Sequence, residues 1–280
     1  MMVEKIKILN NNAVVCRDNN HEEFIVMGKG IAFCEDIETL IDNDPSVKVF
    51  RMAHRDLKTK FEQLLMEIPL ELIAVSEKII DLAKTKLEKN LNDSIYIALG
   101  DHLNSCIERK LNGIELRNPL LWDIKRLYDA EFKLGKEALN IIKDDLHVEL
   151  NEDEAASIAL HIVNAELNEE LPVVIKMTQI IPEVLNIVKY HFKMKLDEES
   201  LNYYRFITHL KFFAQRLLND THQNNMDNEI FDLVRKKHQE AFKCADKISK
   251  FISKKYNYDL NAEEMTYLTV HIARIVNRIN

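Results

Sequence analysis

Five glycines in 280 residues are too few for several familiar kinds of chemistry. There is no G-x-x-x-x-G-K-[ST] phosphate loop and no G-x-S-x-G nucleophile elbow. Cysteine is equally sparse. Cys16, Cys34, Cys106 and Cys244 are scattered without a C-x-x-C pair, which fits reduced, mostly buried thiols better than a disulfide frame or a zinc site. H-E-x-x-H is absent, so neither a metal nor a cofactor is expected. No run of about 18 uncharged apolar residues offers a membrane span, and Met-Met-Val-Glu-Lys lacks a signal-peptide core. The expected location is cytoplasmic, without membrane insertion. A basic excess is also missing: the formal net charge of -8 gives no global attraction to nucleic acid, so any such site must be local. The acid pairs Glu198-Glu199 and Glu263-Glu264 read as helix N-terminal turns. No enzyme signature is left.

What is present is 46% apolar residues, enough for two or three domains with their own cores. The first 52 residues read as strands over Ile6–Leu9, Ala13–Arg17, Glu22–Lys29 and Val47–Met52. Asn10-Asn11-Asn12 and Asp18-Asn19-Asn20 supply turns between the first three. This predicts a small antiparallel β module, and one so small that self-association is expected to cover sheet surface left wet in a monomer. Residues 1–60 hold nine Lys/Arg against ten Asp/Glu, so the module is nearly neutral. From about Asp56 the spacing turns helical. Phe61, Leu64, Leu65 and Ile68 mark an amphipathic linker helix ending near Pro69, and Pro172 and Pro182 bracket a second break. The expected domains are 1–58, a linker helix 59–69, and two all-α parts, 70–171 and 172–280.

Those two parts repeat. Leu150-Asn151, Glu154 and His161-Ile162 recur 110 residues later as Leu260-Asn261, Glu264 and His271-Ile272. The same offset pairs Phe132 with Phe242, Ile142 with Ile252 and Lys125 with Arg235. A period this long is a duplicated domain, not a solenoid unit. Asn-x-x-Glu in each copy predicts a capping box opening the last helix. His161 follows Ile158 by three residues and His271 follows Leu268 by three; His102 and His209 stand likewise after Leu99 and Phe206. All four are thus expected on the border of an apolar helix face, half-buried with one ring nitrogen accessible. That placement suits a nucleophile toward phosphorus or a pH sensor.

The Asn10-Asn11-Asn12 run, Val26-Met27-Gly28-Lys29-Gly30-Ile31-Ala32-Phe33, and the paired Asp101-His102-Leu103 and Thr208-His209-Leu210 resemble the BglG/LicT/SacY transcriptional antiterminators over essentially the whole chain. The resemblance implies an RNA-binding β module followed by two homologous helical-bundle regulation domains of the phosphotransferase system (PTS), in a regulator that is not an enzyme. It implies a homodimer gripping a leader-mRNA hairpin, so that an overlapping terminator cannot form in a sugar-utilisation operon, for β-glucosides or sucrose. Within the module, Lys7 and Lys29 suit phosphates, Asn10 and Asn12 base edges, Gly28 and Gly30 close backbone approach, and Phe33 stacking. His102, His161, His209 and His271 are the implied phosphorylation sites. The resemblance further implies that a sugar-specific PTS enzyme II inactivates through the first pair and that the phosphocarrier HPr activates through the second. Two rival readings are a DNA-binding activator with the same regulatory domains, which needs an N-terminal helix-turn-helix, and a phosphohistidine relay without RNA binding.

Overall fold

Strands β1 (Glu4–Asn10), β2 (Ala13–Arg17), β3 (Glu23–Met27) and β4 (Lys48–Phe50) form one antiparallel sheet in chain order. The computed structural model describes residues 3–44, 46–51, 55–219 and 228–276. Asn11 and Asn12 make the tight turn that sets Asn10 opposite Ala13. The second turn is held by the Asp18 carboxylate, which accepts from the backbone N–H groups of Asn20 and Glu22.

The β module departs from expectation at one strand end and in one added helix. β3 stops at Met27, because Gly30 takes a left-handed φ of 71° and starts a single 3-10 turn over Ile31–Phe33. A helix, α1 (Ile37–Asn43), follows where strand-like composition predicts none. Its start is fixed by Asp36, whose side chain accepts from Thr39 N–H. The expected strand end at Met52 lies outside the described residues.

Alternation along the strands directs Ala13, Val15, Ile25, Met27 and Phe50 into one core, which they share with Phe61, Leu65, Ile73 and Leu99. The intervening Val14, Cys16, Phe24 and Val26 pack with Ile31, Ala32 and Ile37 on the other face. β2 and β3 are thus buried on both sides, whereas the outer strand β1 keeps Ile6 and Ile8 exposed. Helix α2 (Arg55–Glu67) is likewise more than a linker. Phe61, Leu64 and Leu65 are buried, and the Phe61 ring lies 5.1 Å from that of Phe50.

Beyond α2 the chain runs α3 (Leu70–Leu87), α4 (Ser94–Leu111), α5 (Leu121–Leu127), α6 (Asp129–Leu146) and α7 (Glu152–Leu167). The series recurs as α8 (Leu171–Phe192), α9 (Leu201–Leu218), α10 (Asn228–Lys237), α11 (Gln239–Tyr256) and α12 (Ala262–Val276). Both ends of α6 and α11 obey the 110-residue offset, and each helix stops on a left-handed residue, His147 and Asn257. Residues 1–121 and 128–169 form one compact unit; residues 122–127 and 170–280 form another.

Pro172 and Pro182 do not bracket a break, since both lie within α8. Pro172 occupies the first turn, where an amide hydrogen is not needed. Pro182 removes one internal hydrogen bond, yet Ile180, Ile181, Val184, Leu185 and Val188 around it are buried, and that packing carries the helix through. By length and composition α8 could cross a membrane, but its apolar face forms core in the second unit.

Candidate functional site

The two N-terminal motifs meet at one loop. Asn12 Oδ1 accepts from Gly30 N–H at 2.8 Å, its carbonyl accepts from Gly28 N–H, and the Asn11 carbonyl accepts from Ala32 N–H. Asn10 Oδ1 accepts from Asn12 N–H and its Nδ2 donates to the Leu65 carbonyl. Asn10 therefore braces the turn, and it is not a free base reader in this conformation. A Cβ on buried Gly28 would stand 3.1 Å from the Val47 side chain, so the glycine lets the two pack closely. Gly30 is needed for its positive φ. Lys5, which belongs to neither motif, donates to the Ala32 and Cys34 carbonyls at 2.8 Å and pins the far end of the loop. Lys7 is held by Glu62 at 2.9 Å on α2. What this framework leaves facing outward is Asn11, Lys29 and Phe33, the last 75% exposed. A large aromatic held in the open beside a cation suits base stacking and phosphate contact.

In each helical repeat the two histidines come together from separate helices. His102 on α4 stands ring to ring with His161 on α7, centroids 4.8 Å apart; His209 on α9 and His271 on α12 are 4.1 Å apart. Tyr267 joins the second pair at 4.6 Å from His271. The expected border position holds for His102 and His209, which are half-buried. It fails for His161 and His271, only 8% and 7% exposed, because α7 and α12 are buried nearly all round. Burial and the neighbouring His102 push the His161 ring down to about 3; burial, His209 and Arg274 push His271 down to about 4. His209 is lowered by burial, then by Arg274 and Arg216. These three rings are neutral at pH 7 and keep a nitrogen lone pair, which is the state a nucleophile requires.

An acid and an arginine stand at the first pair, and their counterparts in the second repeat are Glu264 and Arg216. Glu154 Oε2 lies 3.2 Å from His102 Nε2, and Oε1 accepts from Arg109 at 3.2 Å. Burial alone would raise this carboxyl; His102 and Arg109 outweigh it and hold it low. In the second repeat Glu264 completes the capping box, accepting from Asn261 N–H at 3.2 Å and from the Tyr258 hydroxyl at 2.8 Å, while Arg216 stands 3.9 Å away. Arg109 and Arg216 lie seven residues, two helical turns, after His102 and His209. That spacing was available in the sequence as the signal for both. A guanidinium one side chain from an imidazole is placed to meet a phosphoryl group.

A CAT RNA binding domain model matches residues 1–59, and a PRD domain model matches twice, over 77–165 and 182–275. The transcription antiterminator LicT of Bacillus subtilis is 48% identical over 97% of this chain and 98% of its own length. This chain belongs to the transcription antiterminator family. A second antiterminator, the β-glucoside operon antiterminator of Dickeya chrysanthemi, is 43% identical over 96% of the chain and 95% of its own length. The crystal structure of GlcT CAT-PRDI matches 59% of this chain and 98% of its own with a TM-score of 0.50 at 28% identity. As an antiterminator the chain is a regulator, not an enzyme, and its first 50 residues hold the sheet of an RNA-binding domain where a DNA-binding rival needs a helix-turn-helix.

Proposed function

We propose that this antiterminator binds a leader-mRNA hairpin as a homodimer, in an operon for β-glucoside or sucrose use, and that phosphorylation of His102, His161, His209 and His271 sets its activity. The observation that carries the proposal is the ring-to-ring pairing of two histidines in each repeat, with Arg109 and Glu154 at the first pair and Arg216 near His209 of the second. A phosphoryl group adds about two negative charges and three strong acceptors to a site that is packed and mostly neutral. Arg109 or Arg216 can receive it, and the helices it joins are the levers of the switch. His102 and His209, half-buried, are the accessible rings; His161 and His271 require local opening before a donor protein reaches them.

The assignment of partners follows the repeat order. A sugar-specific PTS enzyme II acts on His102 and His161 and inactivates; HPr acts on His209 and His271 and activates. The RNA site is built on the loop of Gly28, Lys29, Gly30 and Phe33 with the turn of Asn10 and Asn12, with Lys7 released from Glu62 to reach a phosphate. Exposed Ile6 and Ile8 on the outer strand give the module apolar surface for the second protomer. The working domains are 1–58, the helix 59–69, 70–171 and 172–280, in a cytoplasmic protein.

Incubation with HPr, its kinase enzyme and labelled phosphoenolpyruvate is expected to label histidine within 172–280. Retention of that label in His209→Ala plus His271→Ala removes the second pair from the proposal. Gel-shift titration of the full chain with its own leader hairpin is expected to give a complex of two protomers per hairpin. No binding to that hairpin overturns the RNA assignment.

A further inference from the structure

We propose that the first helical repeat holds a second kind of site, for a zinc-class divalent cation, formed by His102, Cys106 and Glu154. His102 and Cys106 are i and i+4 on α4, so both face α7, which supplies Glu154 from its first turn. Their ligand atoms all lie within 4.8 Å of one another. Tetrahedral zinc with bonds of about 2.0–2.3 Å sets its ligands roughly 3.3–3.7 Å apart, so small side-chain adjustments close the set. His102 Nε2 and Glu154 Oε2 are already at 3.2 Å.

An independent observation also points to a ligand. His102 Nε2 and Glu154 Oε2, two of the three ligand atoms, are buried without a hydrogen-bond partner, a costly arrangement for polar atoms. The contact between His102 and Glu154 has the distance of an ion pair but not the alignment of a hydrogen bond. Arg109 holds the other oxygen of Glu154 and turns Oε2 toward the site. Glu154 is more than nine-tenths buried, and water completes the fourth position. The second repeat is the internal control. The 107-residue offset that relates His102 to His209 puts Phe213 in the place of Cys106, and Glu264 is satisfied by Tyr258 and Asn261. Where the thiol is present one carboxylate oxygen lacks a hydrogen bond, and where the thiol is replaced both oxygens accept one.

On coordination the Cys106 sulfur–metal bond forms as the thiol proton leaves to solvent, while neutral His102 and ionised Glu154 bind through lone pairs. The regulatory consequence rests on the phosphoacceptor reading, since a ring nitrogen that holds a cation has no lone pair for phosphorus. Metal binding itself does not depend on that reading and is tested without a phosphoryl donor.

The test is Co2+ titration of the reduced full chain followed by absorption spectroscopy. The expected result is one site per chain, with the visible bands of tetrahedral Co2+, a near-ultraviolet thiolate-to-cobalt band, and loss of both on adding Zn2+. Cys106→Ser and Cys106→Ala, each verified as folded by circular dichroism, are expected to lose the thiolate band. Glu154→Gln is expected to weaken binding by more than about tenfold. Absence of the thiolate band at saturating Co2+, or its persistence in a folded Cys106 variant, overturns the proposal. Unchanged affinity in Glu154→Gln does the same.

Discussion

Phe33 and His161 carry opposite burdens, and each yields a prediction. Because the Phe33 ring is 75% exposed, it contributes little to folding, and its value lies in stacking. Stacking on an aromatic is worth about 1–3 kcal/mol per base, so Phe33→Ala is expected to weaken hairpin binding by roughly 5- to 150-fold while the melting temperature stays put. Unchanged affinity for the leader hairpin would rule the ring out. Asn12→Ala should behave differently, since it strips Gly30 N–H of its acceptor and costs about 1 kcal/mol of stability as well as affinity. His161 is buried in its neutral form, with its folded pKa near 3 against about 6.5 in an unfolded chain. Between those values the unfolded state binds more protons, so stability is fully present above pH 6.5 and falls as pH drops through that window. The slope is up to about 1.4 kcal/mol per pH unit. Urea unfolding at several pH values between 7 and 5 should show this slope in the native chain and a shallower one in His161→Gln; equal slopes would place the acid sensitivity elsewhere. All four histidines could be read from the repeat, but their pairing could not, because the spacing within one helix says nothing about which helix will face it.

Gly135 shows how the helices reach that pairing. A Cβ at this position would stand 2.2 Å from the Ala155 carbonyl oxygen, so α6 and α7 approach closely enough to exclude any side chain. Alanine would gain about 1 kcal/mol of helix propensity, but the overlap is with backbone that cannot turn aside, and overpacking costs about 1–3 kcal/mol. Gly135→Ala is therefore expected to lower the urea midpoint of the chain. The second repeat has Ala245 at the same place, so Ala245→Gly should also destabilise, by about 1 kcal/mol through propensity alone. Stabilisation by Gly135→Ala would mean that α6 and α7 are farther apart than described. At this scale the sequence was informative wherever one period ruled: β2, α2 and the last helix of each repeat followed from it. It was misleading where local chemistry overrode composition. α1 lies in a strand-rich stretch yet forms because Asp36 caps it, and α8 runs through Pro182 because buried neighbours on both sides hold it.

Across the whole molecule a net charge of -8 must coexist with RNA binding, and the ion pairs of the β module explain how. Lys7 is paired with Glu62, Arg17 with Glu23, Lys48 with Glu77, Arg51 with Asp18 and Lys58 with Glu23, while Lys5 is spent on backbone carbonyls. On the Gly28–Phe33 loop, Lys29 is exposed and has no ion pair among the described residues. Among the described residues of the β module, each protomer thus offers Lys29, and Lys7 if it leaves Glu62, to a phosphate backbone. Each neutralised phosphate contributes about -0.7 to -0.9 to the slope of log affinity against log salt. A dimer is then expected to bind its hairpin with a slope no steeper than about -3 to -4, measured by titration from about 50 to 200 mM KCl. A slope near -8 would require the paired lysines and arginines to leave their carboxylates wholesale, and would refute recognition by loop, stacking and base edges. A Lys29→Ala variant should make the slope shallower by about 1–2 for the dimer, since two phosphate contacts go with it. Phe33→Ala, which removes no charge, should lower affinity at every salt concentration and leave the slope where it was.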